Sequence, residues 1–236
     1  MRNTKLPTSK LSTAARLIIV DDHDMAREGL RDMLADVPDI EVIGEASNGK
    51  EALVLCSMLR PDLALMDVRM PEMDGLLATS KIKQSHPEIS ILMVTMHENP
   101  EYLFEALKAG AAGYVLKDAS RQEVIDAVRQ VRLGESPLDP DLASRLLRRI
   151  AAESTPGRRL SGGENRHRFD KLTRRELEVL GLLKEGMTNR QIAGVLFVSP
   201  GTAKNHVEHI ITKLGVSDRT QAVVRALEIG IIDFNS

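Results

Sequence analysis

Short runs of apolar residues alternate with amphipathic segments between residues 15 and 132. In five of these runs the apolar residues are continuous, which is typical of strands buried on both faces. The runs are RLIIVDD, IEVIGEA, DLALMD, ISILMVT and AGYVLK. Five helices are predicted between and after them, at about 24–36, 48–58, 73–84, 99–108 and 120–132. Such alternation predicts right-handed βαβ units, and hence an α/β doubly wound parallel sheet of five strands.

The remainder of the chain, 171–236, shows only helical periodicity. Four helices are predicted there, at about 173–185, 188–197, 199–214 and 218–230. Two capping boxes and one Ser-Pro start mark where the first three begin, at Thr173 with Glu176, Thr188 with Gln191, and Ser199 with Pro200. The second and third helices are separated by only a few residues, which is the spacing of a helix-turn-helix.

Between these two parts lies a segment of different composition. It starts with SPLDPD, continues with the basic stretch ASRLLRRIAAE, and then becomes rich in Gly, Ser and Arg. We therefore predict a disordered tail at 1–14, an α/β domain at 15–134, a partly helical linker at 135–170, and a small all-α domain of four helices at 171–236.

Composition narrows the class of protein. The single cysteine, Cys56, lies in an apolar run and is predicted to be a buried thiol, so neither a disulfide framework nor a cysteine zinc site is expected. No apolar stretch approaches the ~20 residues of a membrane helix, and we expect a cytoplasmic protein without a membrane partner. The net charge of −2 combines an acidic first half, 1–134, with a basic second half, 145–236, which favours a nucleic-acid partner for the second.

Acidic, hydroxyl and lysine side chains stand at the carboxyl ends of four of the predicted strands. In a doubly wound sheet the carboxyl ends of the strands form one edge, where ligands bind. The residues that reach this edge are Asp21, Asp22, Asp67, Thr95 and Lys117. Three converging carboxylates favour a hard divalent ion such as Mg²⁺, and a carboxylate beside Mg²⁺ can act as a nucleophile toward a phosphoryl group. Lysine and threonine side chains could then contact phosphoryl oxygens.

Residues 15–134 resemble the receiver domain of two-component response regulators. The matching stretches are VDDH, LMDVRMPEMDG, VTMH and GYVLKD. The resemblance implies a flavodoxin-like strand order, 2-1-3-4-5, with Asp67 as phospho-acceptor. It implies Asp21, Asp22, Asp67 and the backbone carbonyl of Arg69 as Mg²⁺ ligands, and Thr95 and Lys117 as catalytic partners. Thr95 and Tyr114 would act as switch residues, although Thr95 could only cap the next helix and Tyr114 could simply pack. His97 could contact the phosphoryl group or be an exposed loop residue.

The predicted third helix of the second domain has two distinct faces. Its apolar stripe comprises Ala203, Val207, Ile210 and Leu214. The opposite face is polar and suits base edges in a DNA major groove, with Thr202 and the cations at its flanks placed for phosphates.

This domain resembles the LuxR-type domain that ends NarL-class regulators, over the stretch from LTRRELEVL to SDRTQAV. The resemblance implies DNA contacts by Thr202, Lys204, Asn205, His206 and Glu208. Glu208 could instead only pair with Lys204, four residues earlier. The family uses the fourth helix for dimerisation, here through Val223 and Leu227, which could also be core residues of their own domain.

Together these features predict a phosphorylation-controlled, sequence-specific transcription regulator that is not an enzyme acting on outside substrates. The expected partners are a sensor histidine kinase, double-stranded DNA with a pseudo-palindromic site, a second copy of the chain when active, and RNA polymerase as a candidate. One alternative is a DNA-binding regulator whose receiver is a phosphorylation-independent dimerisation module. Another is an Mg²⁺-dependent phosphatase, which is disfavoured because Arg69 occupies the position where a second acid would be needed.

Overall fold

The computed structural model describes residues 14–96, 100–138, 149 and 172–232. The predicted tail up to residue 13, His97, and nearly all of the predicted linker lie outside the described residues. Within them the first domain has strands β1 Ala15–Val20, β2 Ile40–Ala46, β3 Leu63–Asp67, β4 Ser90–Thr95 and β5 Gly113–Leu116. Its helices are α1 Asp24–Leu34, α2 Gly49–Leu59, α3 Gly75–Ser85, α4 Pro100–Ala109 and α5 Arg121–Arg132.

The five strands form one parallel sheet in the order β2-β1-β3-β4-β5, as predicted. Successive residues of each strand point to opposite faces, and both faces are covered. In β1, Leu17 and Ile19 join a core with α1 and α5, whereas Ile18 and Val20 join a core with α2 and α3. This double burial is the reason why the strands read as continuous apolar runs in the sequence.

Cys56 lies on α2 inside the second of these cores and is fully buried, as predicted. Burial raises the pKa of its thiol to about 12, so the thiol stays protonated and unreactive at neutral pH.

The second domain contains α6 Arg174–Lys184, α7 Asn189–Leu196, α8 Pro200–Leu214 and α9 Arg219–Glu228. Both predicted capping boxes are present, from Thr173 to Glu176 and from Thr188 to Gln191. α8 begins at Pro200 after the Ser199 N-cap and ends at Gly215, which adopts the left-handed conformation that glycine tolerates. Among the described residues, no helix combines the length and the apolar character needed to cross a bilayer.

Candidate metal centre and nucleic-acid interface

Three aspartates meet at the carboxyl edge of the sheet. β1 and β3 are in register up to Val20 and Met66, so Asp21 and Asp67 are the next residues on adjacent strands. Asp21 is fully buried and Asp67 is 6% exposed. Asp22 is partly buried beside them. The sequence prediction that these acids share one edge is therefore consistent with the geometry.

Lys117, directly after β5, reaches into this acidic group. Its Nζ lies 2.6 Å from Asp21 Oδ2 and 3.0 Å from Asp67 Oδ2. Thr95 ends β4 and is also buried, and its backbone carbonyl accepts a hydrogen bond from the Lys117 amide at 2.8 Å. The hydrogen bond between these two strand ends fixes where the lysine side chain starts.

The charges in this centre depend on one another. Burial raises the pKa of Asp67 above its ordinary value, against the hydrogen bond from Lys117, and the neighbouring charge of Asp21 raises it further. Burial alone would lower the pKa of Lys117, but its hydrogen bonds to Asp21 and Asp67 raise it above its ordinary value. The lysine thus neutralises part of a carboxylate excess that burial makes unfavourable.

The same residues fit a divalent cation. Asp21, Asp22, His23 and Asp67 each offer one ligand atom, and these atoms lie within 4.8 Å of one another. Since carboxylate oxygens dominate the set, a hard ion such as Mg²⁺ matches it better than a soft metal. A cation bound there would neutralise Asp21 and Asp67 and so free the Lys117 ammonium for another anion.

His23 is the one member of this group that the sequence reasoning did not single out. It is exposed, and its Nδ1 lies 2.9 Å from Asp22 Oδ1 and 3.3 Å from Asp21 Oδ1. Its position next to two predicted ligands was the available signal.

The other predicted residues of this domain lie nearby. Tyr114, on β5, is partly buried and packs against the core beside α2 and α3 and also against a cluster that reaches the second domain. Arg69, two residues after Asp67, directs its side chain to Tyr102 on α4, where it meets both the hydroxyl and the ring. The backbone carbonyl of Arg69 stays a prediction as a metal ligand.

The third helix of the second domain, α8, has the two faces that its sequence predicts. All four residues of the apolar stripe are buried: Ala203, Val207, Ile210 and Leu214. On the polar side Thr202, Asn205 and Glu208 are exposed, and Lys204 and His206 are partly exposed. One helix therefore presents all five predicted DNA contacts to solvent, in an arrangement that a major groove could accept.

Glu208 and Lys204 form the pair that their spacing suggests. Lys204 Nζ lies 3.6 Å from Glu208 Oε1, and both side chains remain substantially exposed. An exposed pair of this kind is worth little, so either partner could exchange it for a contact to DNA.

The predicted dimerisation residues differ in how accessible they are. Val223 on α9 is 1% exposed and belongs to the core of the second domain, whereas Leu227 is partly buried at its margin. In this conformation Leu227 has surface to offer a second copy and Val223 has almost none.

Comparison with known proteins adds to this geometry. Residues 17–129 match the response regulator receiver domain, and residues 170–226 match the family described as bacterial regulatory proteins, luxR family. The response regulator protein VraR of Staphylococcus aureus is 38% identical over 217 residues, which are 92% of this chain and 98% of VraR.

Two solved structures are similar to the chain. A two-component response regulator of the LuxR family from Aurantimonas sp. has 34% identity and a TM-score of 0.53, covering 57% of this chain and 96% of that one. The RcsB response regulator of Salmonella typhimurium, in a structure described by its conformational dynamism for DNA interaction, has 27% identity and a TM-score of 0.51, covering 89% and 97%.

Proposed function

We propose a function from one premise: the chain belongs to the two-component response regulators that join a receiver domain to a LuxR-type DNA-binding domain. Membership of this family implies transcription regulation controlled by phosphorylation. The specific proposal is that Asp67 takes a phosphoryl group from a sensor histidine kinase, and that the second domain then binds DNA as a dimer.

The contact of Lys117 with both Asp21 and Asp67 carries the proposal. The Lys117 ammonium lies between the two carboxylates, with its Nζ 2.6 Å from Asp21 Oδ2 and 3.0 Å from Asp67 Oδ2. In the proposed reaction an Asp67 oxygen forms a bond to phosphorus while the bond from phosphorus to the donor's histidine nitrogen breaks. Bound Mg²⁺ supplies charge neutralisation at the phosphoryl group. Lys117 then pairs with a phosphoryl oxygen, and the Thr95 hydroxyl donates to another.

The DNA-binding part of the proposal rests on α8. We assign Thr202, Lys204, Asn205, His206 and Glu208 to DNA, with Thr202 and the flanking cations on phosphates and the other polar side chains at base edges. A two-fold dimer through the α9 region predicts a pseudo-palindromic site, and a promoter-bound dimer makes RNA polymerase a candidate partner. Leu227, which retains accessible surface, is the better dimer contact of the two predicted ones.

The test is intact mass spectrometry after incubation with a small phosphodonor and Mg²⁺, on the wild type and Asp67→Asn. We expect one phosphoryl adduct that requires Mg²⁺ and is missing in the variant. Asp62→Asn is the matched control, because Asp62 is an exposed aspartate just before β3 and should leave the adduct unchanged. No adduct on the wild type with any donor would refute phosphorylation and favour a receiver that serves only for dimerisation.

A further inference from the structure

The N-terminal end of α9 lies against the receiver domain, where α3 and α4 end. Gln221, in the first turn of α9, donates through its side-chain amide to the carbonyl oxygens of Leu107 and Ala111, at 3.1 and 2.8 Å. Both partners only accept hydrogen bonds, so the orientation of the amide is unambiguous. Apolar residues of α4, including Phe104, also belong to the same hydrophobic cluster as the core of the second domain. Polar and apolar contacts thus hold the two domains together.

Lys83, near the end of α3, makes a second polar contact across this boundary. Its Nζ donates to Ser217 Oγ at 2.5 Å, as well as to the backbone carbonyls of Pro87, at 3.2 Å, and Ile89. Ser217 in turn donates to Asp218 Oδ2 at 2.6 Å. A hydrogen-bonded chain therefore runs from the receiver lysine to the start of α9.

Asp218 is the buried charged residue at the end of this hydrogen-bonded series. It is fully buried, and its carboxylate caps α9 by accepting from the Gln221 backbone amide at 3.0 Å. Burial raises the pKa of Asp218, and the charge of Lys83 opposes that shift. Burial also lowers the pKa of Lys83 to about 8, against the charges of Asp218 and Glu88. Each group therefore makes the burial of the other less unfavourable.

A glycine in the receiver leaves space for the Lys83 side chain. Gly110 lies directly under the lysine side chain, where an added Cβ would be 2.6 Å from Lys83 Cγ. The φ of Gly110, +112°, is also one that side-chain-bearing residues rarely adopt. Both observations favour glycine at this position and a fixed path for the lysine.

The helix that carries Lys83 begins at the proposed phosphorylation site. Gly75, the first residue of α3, packs so closely on the Asp67 backbone that a Cβ there would be 1.9 Å from the Asp67 carbonyl oxygen. Its amide also donates to the Val68 carbonyl at 3.0 Å, and Thr79 Oγ1 ties the first turn together by donating to the Gly75 carbonyl at 2.7 Å. α3 thus connects the backbone of Asp67 to the domain boundary within eleven residues.

We infer that Lys83 is an interdomain latch, through which the receiver holds the N-terminal end of α9 by way of Ser217 and Asp218. When the loop after Asp67 rearranges, α3 moves at both ends and withdraws the lysine, which frees α9 and its domain. The latch is a property of the unphosphorylated protein; only its trigger rests on the proposed phosphorylation of Asp67. This route through α3 is separate from the predicted switch residues Thr95 and Tyr114.

The latch can be tested on the full chain without phosphate or DNA, by measuring the distance between two spin labels. Met58→Cys on α2 and Arg174→Cys on α6 place the labels on exposed positions in the two domains. Cys56 does not interfere, because it is buried and its thiol pKa is about 12. We expect one narrow distance population in the otherwise wild-type protein. Lys83→Met should add a longer, broad population, with the open-to-closed ratio rising about tenfold or more.

Controls separate the latch from general damage. Lys81→Met removes an exposed lysine from the same helix and should leave the distances unchanged. Gln221→Ala removes the hydrogen bonds that the second domain donates to Leu107 and Ala111, and it should also open the boundary. Should Lys83→Met fail to fold, pairing it with Asp218→Asn removes both charges while retaining a good N-cap residue. Unchanged distances in the folded Lys83 variant and in Gln221→Ala would overturn the latch.

The trigger has its own measurement. If phosphorylation favours opening, opening must favour phosphorylation by the same factor. Lys83→Met should therefore bind the phosphoryl mimic beryllofluoride, with Mg²⁺, more tightly than the wild type, whereas Lys81→Met should not. An open variant with unchanged beryllofluoride affinity would overturn the coupling through α3. A wild type that binds no beryllofluoride would refute the proposed function instead and leave the latch result standing.

Discussion

The acidic centre of the receiver and the polar face of α8 are built in opposite ways. The centre draws its residues from the ends of separate strands, and two of its charges are at least nine-tenths buried. The face of α8 comes from one continuous helix, and its side chains point into solvent. Its single ion pair, among the described residues, joins Lys204 and Glu208 at 3.6 Å.

The difference determines how each region should respond to mutation. In a buried centre every charge depends on its neighbours, so one deletion exposes the full desolvation penalty of the remaining ones. On an exposed helix face each side chain contributes separately, and water or salt can replace it. We therefore expect large, non-additive effects in the receiver and modest, additive ones on α8.

The largest effect is expected for Lys117→Met. Loss of the ammonium removes the cation that contacts Asp21 and Asp67 and that would stabilise the transferred phosphoryl group. The rate of phosphorylation by a small donor should fall about 100-fold to 1,000-fold. The thermal midpoint in magnesium-free buffer should also fall, and Mg²⁺ should raise it more in the variant than in the wild type, because the ion then neutralises carboxylates that have lost their lysine.

Lys50→Met is the matched control for this prediction. Lys50 pairs with Glu72 at 3.0 Å, but both side chains are more than half exposed. Phosphorylation rate and thermal midpoint should both stay close to wild type. An equal loss in the two variants would contradict the distinction between buried and exposed charges.

The next effect concerns DNA. Lys204→Ala should weaken binding to a selected operator about tenfold, and the slope of log affinity against log salt should become shallower by about 0.9, as for one lost phosphate contact. Fluorescence anisotropy at several salt concentrations measures both quantities. Lys81→Ala, on the receiver, should change neither. A large loss without any change in slope would instead assign Lys204 to a base edge.

These two regions were also unequally predictable from the sequence. The faces of α8 follow from helical periodicity alone, and the buried stripe from Ala203 to Leu214 is as predicted. The sheet was predictable because its runs are apolar on both faces. α3 begins two residues later than the sequence predicts, because Asp74 caps the helix by accepting a hydrogen bond from the Leu77 amide.

What the sequence could not predict was contact between elements that are distant along the chain. The sequence predicts that Lys117, Asp21 and Asp67 share one edge of the sheet, but not that Lys117 Nζ contacts both carboxylates. It gives no sign of the contact between Lys83 and Ser217, which are 134 positions apart. Burial of Asp218 was equally hidden, because an aspartate before a helix reads as an ordinary exposed cap. Local sequence patterns predict helices and strands, but the partners of the buried charged side chains are set by the tertiary structure.

Glu176→Gln tests whether the second domain also depends on a buried charge. Glu176 is 3% exposed, and its oxygens accept from Lys213 Nζ at 2.6 and 2.7 Å while it completes the capping box with Thr173. Glutamine preserves the box and removes only the charge. Because Lys213 is partly exposed and can be rehydrated, the free energy of unfolding should fall by about 1–2 kcal/mol, measured with urea.

The loss of unfolding free energy in Glu176→Gln should depend on pH. Burial acts to raise the pKa of Glu176, but the hydrogen bonds from Lys213 and Thr173 hold it below its ordinary value of 4.5. The ionised carboxylate therefore stabilises the fold above pH 4.5, and this contribution is lost as the pH falls through the lower, folded-state pKa. The gap between wild type and Glu176→Gln should close over that range. A gap that is constant with pH would mean that packing, not charge, causes the loss.

The smallest effect is expected for Glu208→Gln, which decides between pairing and base contact on the exposed face. If Glu208 only pairs with Lys204, removing its charge beside the phosphates should raise affinity a few-fold for every DNA sequence, since each phosphate contact is electrostatic. If Glu208 accepts from a cytosine amino group, affinity should fall and the preference at one base pair should relax, by about 1–3 kcal/mol. Operator selection on both proteins separates these outcomes. The 3.6 Å pair favours the uniform gain, and a change confined to one position would make Glu208 a specificity residue despite its exposure.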